Sequence, residues 1–367
     1  MNESYVRMAD KWLDKAQTTR KGEELDAAAL KQYINEQLPG YQGELSIQQF
    51  SGGASNLTYL LQIGDQYMVL RRPPFGPKIK SAHDMGREYK IFSNLIHHYP
   101  KVPKPLLFCE DESVIGREFY LMERLEGVIL RSTMPKEMYP EPDLMSGIAD
   151  SLIKTFAELH AVDYQAAGLG ELGKPEGYNE RQVRGWTKRY INAKTDEVKE
   201  MEFVSKWLAD NLLPESDTAL IHNDYKYDNV ILDKEDWTKI IGILDWEMST
   251  LGDPLMDLGT SLCYWTNAND PDWIKQLSLS PTTIEGNPTR SEVAAKYSAL
   301  SGRDISNVVF YYVFGLFKIA VVVQQIYKRY KTGYSSNPKF ASMGAAVKGL
   351  SIMASQAIHK NRLEDLF

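Results

Sequence analysis

Cysteine is scarce. Only Cys109 and Cys263 occur in 367 residues, too few for a disulfide framework, which points to a reducing cytoplasm. The N-terminal MNESYVRMADKWLDKA lacks an apolar h-region, so no secretory signal is expected there. Long hydrophobic runs are also missing. The greasiest stretch, VVFYYVFGLFKIAVVV at 308–323, carries Lys318 and falls short of the ~20 residues of a bilayer span. A buried core helix is expected there, and no membrane partner. Net basic charge is absent, at −7 with a pI near 5.5, which gives no reason to expect nucleic acid as the main partner. No internal repeat or low-complexity tract is visible.

What remains is ordinary globular material, 43% hydrophobic and 25% charged, of a length that suggests two domains or lobes. Residues 25–38 have helical apolar spacing, ended by Pro39-Gly40. The period then shortens. ELSIQQF, LTYLLQI, QYMVLRR and REFYLMERL are strand-like and separated by Gly- and Pro-rich breaks, so an antiparallel sheet with hairpins is expected. One helix interrupts them, from about Ala82 to His97. Beyond Gly127 the chain is mainly helical, as in 144–162, broken by two short strands in DNVILD and KIIGILD. The expected fold class is α+β: an N-terminal extension at 1–24, a small antiparallel-sheet lobe at 25–125, and a larger, mostly helical lobe at 126–367.

The chemistry concentrates at IHNDYKYDNVILD, residues 221–233. A bend that only had to turn would favour Gly or Pro; this one holds an acid, an amide and an amine. The strand KIIGILDWE follows and reaches Asp245. Adjacent strands would place Asn229 and Asp245 at neighbouring ends, and an amide oxygen with a carboxylate makes a hard-oxygen site suited to Mg²⁺ and substrate phosphates. Asp224, at the tip of the bend, is then available to take a proton from an attacking hydroxyl. Lys226 can neutralise charge on a transferring phosphoryl group. The bland alternative is a turn in which Asp caps backbone N–H groups and Asn adopts a left-handed conformation; the apolar strand on each flank and the later Asp argue against it.

H-x-D-x-x-x-x-N followed by a strand ending in Asp-Trp-Glu resembles the aminoglycoside phosphotransferase-like branch of the protein-kinase superfamily. HNDYKYDN, ILDWEMSTLGDPLMDLG and FGLFKIAVVVQQIYKRY resemble more closely the kinase-like domain fused to, or encoded beside, certain acyl-CoA dehydrogenases, over about residues 25 to 360. The resemblance implies a bilobal kinase-like fold with Asp224 as catalytic base and Asn229 and Asp245 as metal ligands. Lys226 stands where protein kinases keep a lysine near the γ-phosphate, although many small-molecule kinases lack it. His222 is expected to pack beneath the loop, and Asp257 in GDPLMDLG to brace it. Glu247 is open to two readings, an extra metal or water ligand or a strand-end acid.

In the sheet lobe, FSGGASNLTYLL resembles a phosphate-covering hairpin. Gly52 and Gly53 permit a tight turn, and backbone N–H groups from Ala54 to Leu57, including those of Ser55 and Asn56, would face phosphate oxygens. The family's phosphate-binding lysine is replaced by Arg71, with Arg72 beside it. That is a real departure, yet Arg keeps a permanent charge and a fork for phosphate. Glu88 is expected to hold Arg71 in an ion pair; the alternative is a solvated helix face. The segment 119–127 resembles the inter-lobe hinge, where adenine would bond the Glu123 carbonyl and the Leu125 N–H, with Met122 at the rear of the pocket.

The cofactors implied are ATP (or GTP) and Mg²⁺. From Ile305 to Leu363 there is no Asp or Glu, whereas Lys318, Lys328, Arg329, Lys331, Lys339, Lys348, Lys360 and Arg362 are basic. This span suits a small anionic acceptor, such as a CoA thioester, better than a cationic one. Tyr311, Tyr312, Phe314, Phe317, Tyr327, Tyr330 and Tyr334 could pack an acyl chain or an adenine ring, or could be core. Relatives in this branch are linked to phosphorylation of hydroxyacyl-CoA, notably at the 4-hydroxyl. The rival expectations are a kinase for an aminoglycoside, a choline-like alcohol or a sugar, and a pseudokinase that binds without transferring phosphate.

Overall fold

The computed structural model describes residues 15–50, 56–75, 84–334 and 337–367. Along the chain run α1 (Ala27–Gln37), β1 (Leu45–Gln49), β2 (Leu57–Ile63), β3 (Gln66–Arg72), α2 (Met85–Leu95), β4 (Pro105–Cys109), α3 (Glu112–Ile115), β5 (Phe119–Glu123) and β6 (Gly127–Val128). There follow α4 (Pro142–His160), α5 (Tyr178–Ala193), α6 (Lys199–Asp210), β7 (Ala219–Ile221), β8 (Val230–Asp233), β9 (Ile240–Ile243) and β10 (Thr250–Gly252). The chain finishes with α7 (Pro254–Cys263), α8 (Asp272–Lys275), α9 (Arg290–Ser301), α10 (Val308–Lys331) and α11 (Met343–Lys360). These elements form two compact units, one of residues 1–129, 167–169 and 230–247, the other of 130–166, 170–229 and 248–367.

The first unit is an antiparallel five-stranded sheet in the order β1-β2-β3-β5-β4. Alternation makes it amphipathic: Leu57, Tyr59, Leu61 and Ile63 of β2 are buried, with Met68 and Leu70 of β3, in one cluster with Leu30 and Ile34 of α1. Side chains one step along β3 point to the other face, so Arg71 and Arg72 part company. Arg72 is buried, donates to the Ile115 carbonyl at 3.0 Å and lies over the Phe75 ring. Helix α2 opens with its Asp84 cap accepting from the Arg87 N–H at 2.8 Å, and buries Met85, Glu88, Ile91, Phe92 and Leu95 along one stripe. Glu88 is thus an acid inside an apolar face, which demands a partner. A three-stranded sheet, β6-β8-β9, completes the unit, with Val128 opposite Leu232.

The second unit is helical around the small ribbon β7–β10. Its centre is α10, which lies against α7, α5 and α11. The sequence run at 308–323 is helical and continues to Lys331, 24 residues in all. The extra turns carry Lys328, Arg329 and Lys331, cations that suit the negative end of the helix dipole. By length and composition this helix could cross a membrane, yet 67% of its most apolar window is buried within the protein, as a core helix requires. Tyr311, Tyr312, Phe314 and Phe317 belong to that core, whereas Tyr334 is exposed.

Candidate active site

In the second unit, β7 delivers the chain to His222 and the loop bends at Asn223, whose φ of +66° lies in the left-handed region. Tyr225 and Tyr227 alternate with Asp224 and Lys226, and the alternation separates anchors from chemistry. Tyr225 stacks on Phe156 at 4.3 Å and donates to the Leu152 carbonyl at 2.8 Å, while Tyr227 donates to Asn287 at 2.8 Å. With both tyrosines pinned in the core, Asp224 and Lys226 are held on the partly accessible side. The Lys226 Nζ donates to Asp224 Oδ2. The Asn229 amide Nδ2 reaches both Oδ2 and the backbone carbonyl of Asp224 at 2.8 Å. The structure therefore brings Asp224, Lys226 and Asn229 together.

Beneath them, Asp257 on α7 is fully buried and accepts from the backbone N–H groups of His222, at 2.6 Å, and Asn223, at 2.8 Å. His160 presents Nε2 to the same carboxylate at 3.1 Å and Nδ1 to the Tyr297 hydroxyl at 2.7 Å. Burial pushes the His160 imidazole down from its ordinary value, so it is neutral, donating to Asp257 from Nε2 and accepting from Tyr297 at Nδ1. Burial alone would raise the Asp257 carboxyl, but its hydrogen bonds and the adjacent imidazoles win and hold it low. His222 is completely buried, and its Nδ1 lies 3.3 Å from the Asp224 backbone N–H.

In the first unit, β9 ends at Ile243 and a turn at Trp246–Met248 follows. Asp245, just before that turn, has a φ of +65°, unusual for a residue with a Cβ. Its conformation is fixed by neighbours. Arg71 NH2 lies 3.0 Å from Asp245 Oδ1, Arg71 NH1 lies 3.2 Å from Glu88 Oε1, and the Trp246 N–H donates to that same Oε1 at 3.2 Å. Burial pushes the Glu88 carboxyl up, opposed by the Arg71 charge. The Arg71 Nε and Glu88 Oε2 are buried without a hydrogen-bond partner among the described residues, so polar capacity remains unspent there. Arg71, Glu88 and Asp245 thus form one cluster.

Asn56 is buried and donates from Nδ2 to Glu247 at 2.9 Å, which gives Glu247 a structural task. Glu123 ends β5, with its N–H on the Lys104 carbonyl at 2.9 Å. Leu125 packs against Gly242, where a Cβ would come within 2.4 Å of Leu125 Cδ1. Gly52, Gly53, Ala54 and Ser55 lie outside the described residues. Among the described residues no group of three or more His, Cys, Asp and Glu could hold a metal.

Sequence reasoning passed over Asp228, His160, Tyr264 and the role of Lys318. Asp228 is largely buried, and burial raises its carboxyl. Lys226 Nζ sits 4.9 Å from the centre of the Tyr264 ring. Lys318 was expected among the acceptor-binding cations; it is only 5% exposed and is spent on Asn223. The Tyr-x-Tyr alternation was the one available signal for the loop's anchoring.

Residues 46–289 match the model of the phosphotransferase enzyme family. The chain is 36% identical over 365 residues to acyl-CoA dehydrogenase family member 11 of Gallus gallus, covering 95% of this chain and 46% of that relative. It thus spans about half the length of that curated relative. A candidate aminoglycoside phosphotransferase of Ralstonia eutropha, known from its crystal structure, superposes with a TM-score of 0.78 at 32% identity, covering 92% of this chain and 99% of that one. An aminoglycoside phosphotransferase solved with ADP and hygromycin B shares the fold, with a TM-score of 0.56 at 14% identity over 90% of this chain and 98% of the other. With two thirds of its length under the family model and a kinase-like fold, the chain belongs to the phosphotransferase enzyme family.

Proposed function

We propose that the protein is an ATP- and magnesium-dependent phosphotransferase acting on a hydroxyl of a small anionic metabolite, with a hydroxyacyl-CoA phosphorylated at its 4-hydroxyl as the favoured acceptor. The observation that carries this reading is Asp224: a loop carboxylate gripped by Lys226 and Asn229, with the backbone of the two residues before it, His222 and Asn223, anchored from below by Asp257. In the proposed reaction Asp224 accepts the proton of the acceptor hydroxyl as that oxygen bonds to the γ-phosphorus. The bond from phosphorus to the β–γ bridging oxygen breaks, and its electron pair leaves with ADP. Asn229 and Asp245 would hold magnesium through an amide oxygen and a carboxylate oxygen, and magnesium would neutralise phosphate charge. Arg71, with a buried donor unspent, would face phosphate oxygens, and Lys226 would balance charge on the transferring group. The Glu123 carbonyl and Leu125 N–H would bond adenine.

The acceptor class rests on charge. Arg329, Lys339, Lys348, Lys360 and Arg362 are exposed in a stretch without an acid, although Lys328 and Lys331 are already engaged by the Asn192 carbonyl and Asp196, and Lys360 and Arg362 by the Asp365 carbonyl. Similarity to a protein named as an acyl-CoA dehydrogenase family member points the same way. The test is incubation with MgATP and a panel of a 4-hydroxyacyl-CoA, choline and an aminoglycoside, with products weighed by mass spectrometry. The CoA ester should gain one phosphate, and Asp224→Asn should slow transfer by about 10²–10⁴-fold. Turnover of the aminoglycoside with none of the CoA ester would end the acceptor proposal; equal rates in the Asp224→Asn variant would end the assignment of the base.

A further inference from the structure

A lysine near the middle of the long apolar helix α10 needs a reason. Lys318 on α10 is 5% exposed, among Phe314, Leu316, Phe317, Ala320 and Val321. Burying an ammonium is costly unless it is paired and hydrogen-bonded. Lys318 forms no ion pair with a carboxylate among the described residues. Its Nζ instead lies 3.2 Å from the backbone carbonyl of Asn223 and 3.2 Å from the Asn223 side-chain oxygen. The remaining surroundings are the Trp186 ring at 6.0 Å on α5 and, through space, Asp257, Asp224, Cys263 and Arg189.

Asn223 is the residue immediately before Asp224, and every polar group it has is engaged. Its N–H donates to Asp257 at 2.8 Å, its Nδ2 reaches the Met248 carbonyl at 3.2 Å and the Tyr178 hydroxyl at 3.3 Å, and both oxygens face Lys318. A non-glycine residue held at φ +66° is strained, and persists only when its surroundings over-determine it. The two oxygens of Asn223 can face one donor only in a narrow range of backbone and side-chain angles. Lys318 selects that range.

We propose that Lys318 is a positioning residue for phosphoryl transfer: by gripping both oxygens of Asn223 it fixes the left-handed bend that aims Asp224. A group of this kind acts on the chemical step. At 5% exposure and with its Nζ spent on Asn223, its loss should leave binding alone, and a misplacement of about 1 Å at the base can cost on the order of 10²-fold in rate.

The proposal rests on phosphotransferase activity, and the experiment separates the two. Wild type, Lys318→Met and Lys318→Gln are compared for ADP release from MgATP, with and without the best acceptor of the panel, and for binding of a fluorescent ATP analogue. Lys318→Met, close in size and apolar, should lower kcat by about 10–100-fold, with the KM for ATP and the analogue's Kd within twofold of wild type. Lys318→Gln keeps an N–H donor and should recover part of the loss. Asn223→Gly frees the bend and removes the side-chain oxygen; in that background Lys318→Met should have much less effect, because the two act as a unit. A kcat within twofold of wild type in Lys318→Met, fully additive effects with Asn223→Gly, or a kcat loss matched by an equal loss of analogue binding would each overturn the proposal. If Lys318→Met does not fold, Lys318→Gln against Asn223→Gly decides. No ADP release from the wild type would instead sink the phosphotransferase reading.

Discussion

Lys226 and Asn229 both spend a donor on Oδ2 of Asp224, while Asp257 takes the backbone N–H of the residue before it. The proposed base is thus defined by three residues within the same loop and one buried acid on α7. His160, which donates to that acid, brings its own dependence on pH. Folded His160 has a lowered pKa because it is buried, against about 6.5 when unfolded. The unfolded chain therefore binds more protons between those two values, and stability rises with pH there. The contribution is complete above about pH 6.5 and lost as pH falls through the folded value. Thermal midpoints between pH 7.5 and 5 should accordingly drop in the wild type, and drop less in His160→Gln; parallel curves for the two proteins would contradict it. At this scale the sequence was most informative where residue type states its own chemistry. Asp224, Asn229 and Asp245 could be singled out because acid, amide and acid flank apolar strands, whereas Glu88 came only from the resemblance, as the ion-pair partner it implies for Arg71. Lys318 could not be paired with Asn223, since 95 residues separate them and a lysine in a greasy run looks the same whether it snorkels to water or turns inward.

Among the helices, α7 and α10 meet backbone to backbone. A Cβ on Gly315 would come within 2.5 Å of the Gly259 carbonyl oxygen and of Cys263 Sγ, and one on Gly259 within 2.1 Å of the Tyr311 carbonyl oxygen. Two opposing effects follow for Gly315→Ala. Helix propensity alone would favour alanine by up to about 1 kcal/mol, while overpacking costs about 1–3 kcal/mol. The neighbour here is main chain and cannot turn aside, so sterics should win. The variant should unfold at lower urea concentration, by about 1–2 kcal/mol, and a midpoint above wild type would show that the contact yields. Both glycines lie within a turn of functional positions, Asp257 on one helix and Lys318 on the other, so the close approach also sets how near these two come. Sequence periodicity found the helices α1, α2, α4 and the first part of α10, along with strands β1, β2, β3, β5, β8 and β9. It could not see β6, only two residues long, nor that β8 would pair with it as well as with β9. Pairing is decided by partners remote in sequence, and two residues carry no period.

Over the whole chain the net charge of −7 conceals a segment from Ile305 to Leu363 with no acid at all. If an anionic acceptor uses that segment, charge reversal at exposed Lys339 and Lys348 should raise its KM. Up to about 1 kcal/mol per surface charge corresponds to about fivefold each, with the KM for ATP unchanged. High salt should shrink the difference, because solvent-exposed charges are screened beyond about 10 Å at 0.1 M. Equal acceptor KM values in wild type and the doubly reversed variant at low salt would remove this role. Composition revealed the asymmetry but not its disposition: the same count includes Lys318, which the fold turns inward.

The first unit is assembled from residues 1–129, 167–169 and 230–247, and Val128 of β6 pairs with Leu232 of β8. A ribosome delivering this chain at about 5–20 residues per second would release Val128 roughly 5–20 seconds before its hydrogen-bonding mate. Residues 130–166 and 170–229 of the helical unit must emerge in that interval, so the earlier portion waits with an unfilled strand position, and completion of the smaller unit is scheduled by synthesis of the first part of the larger.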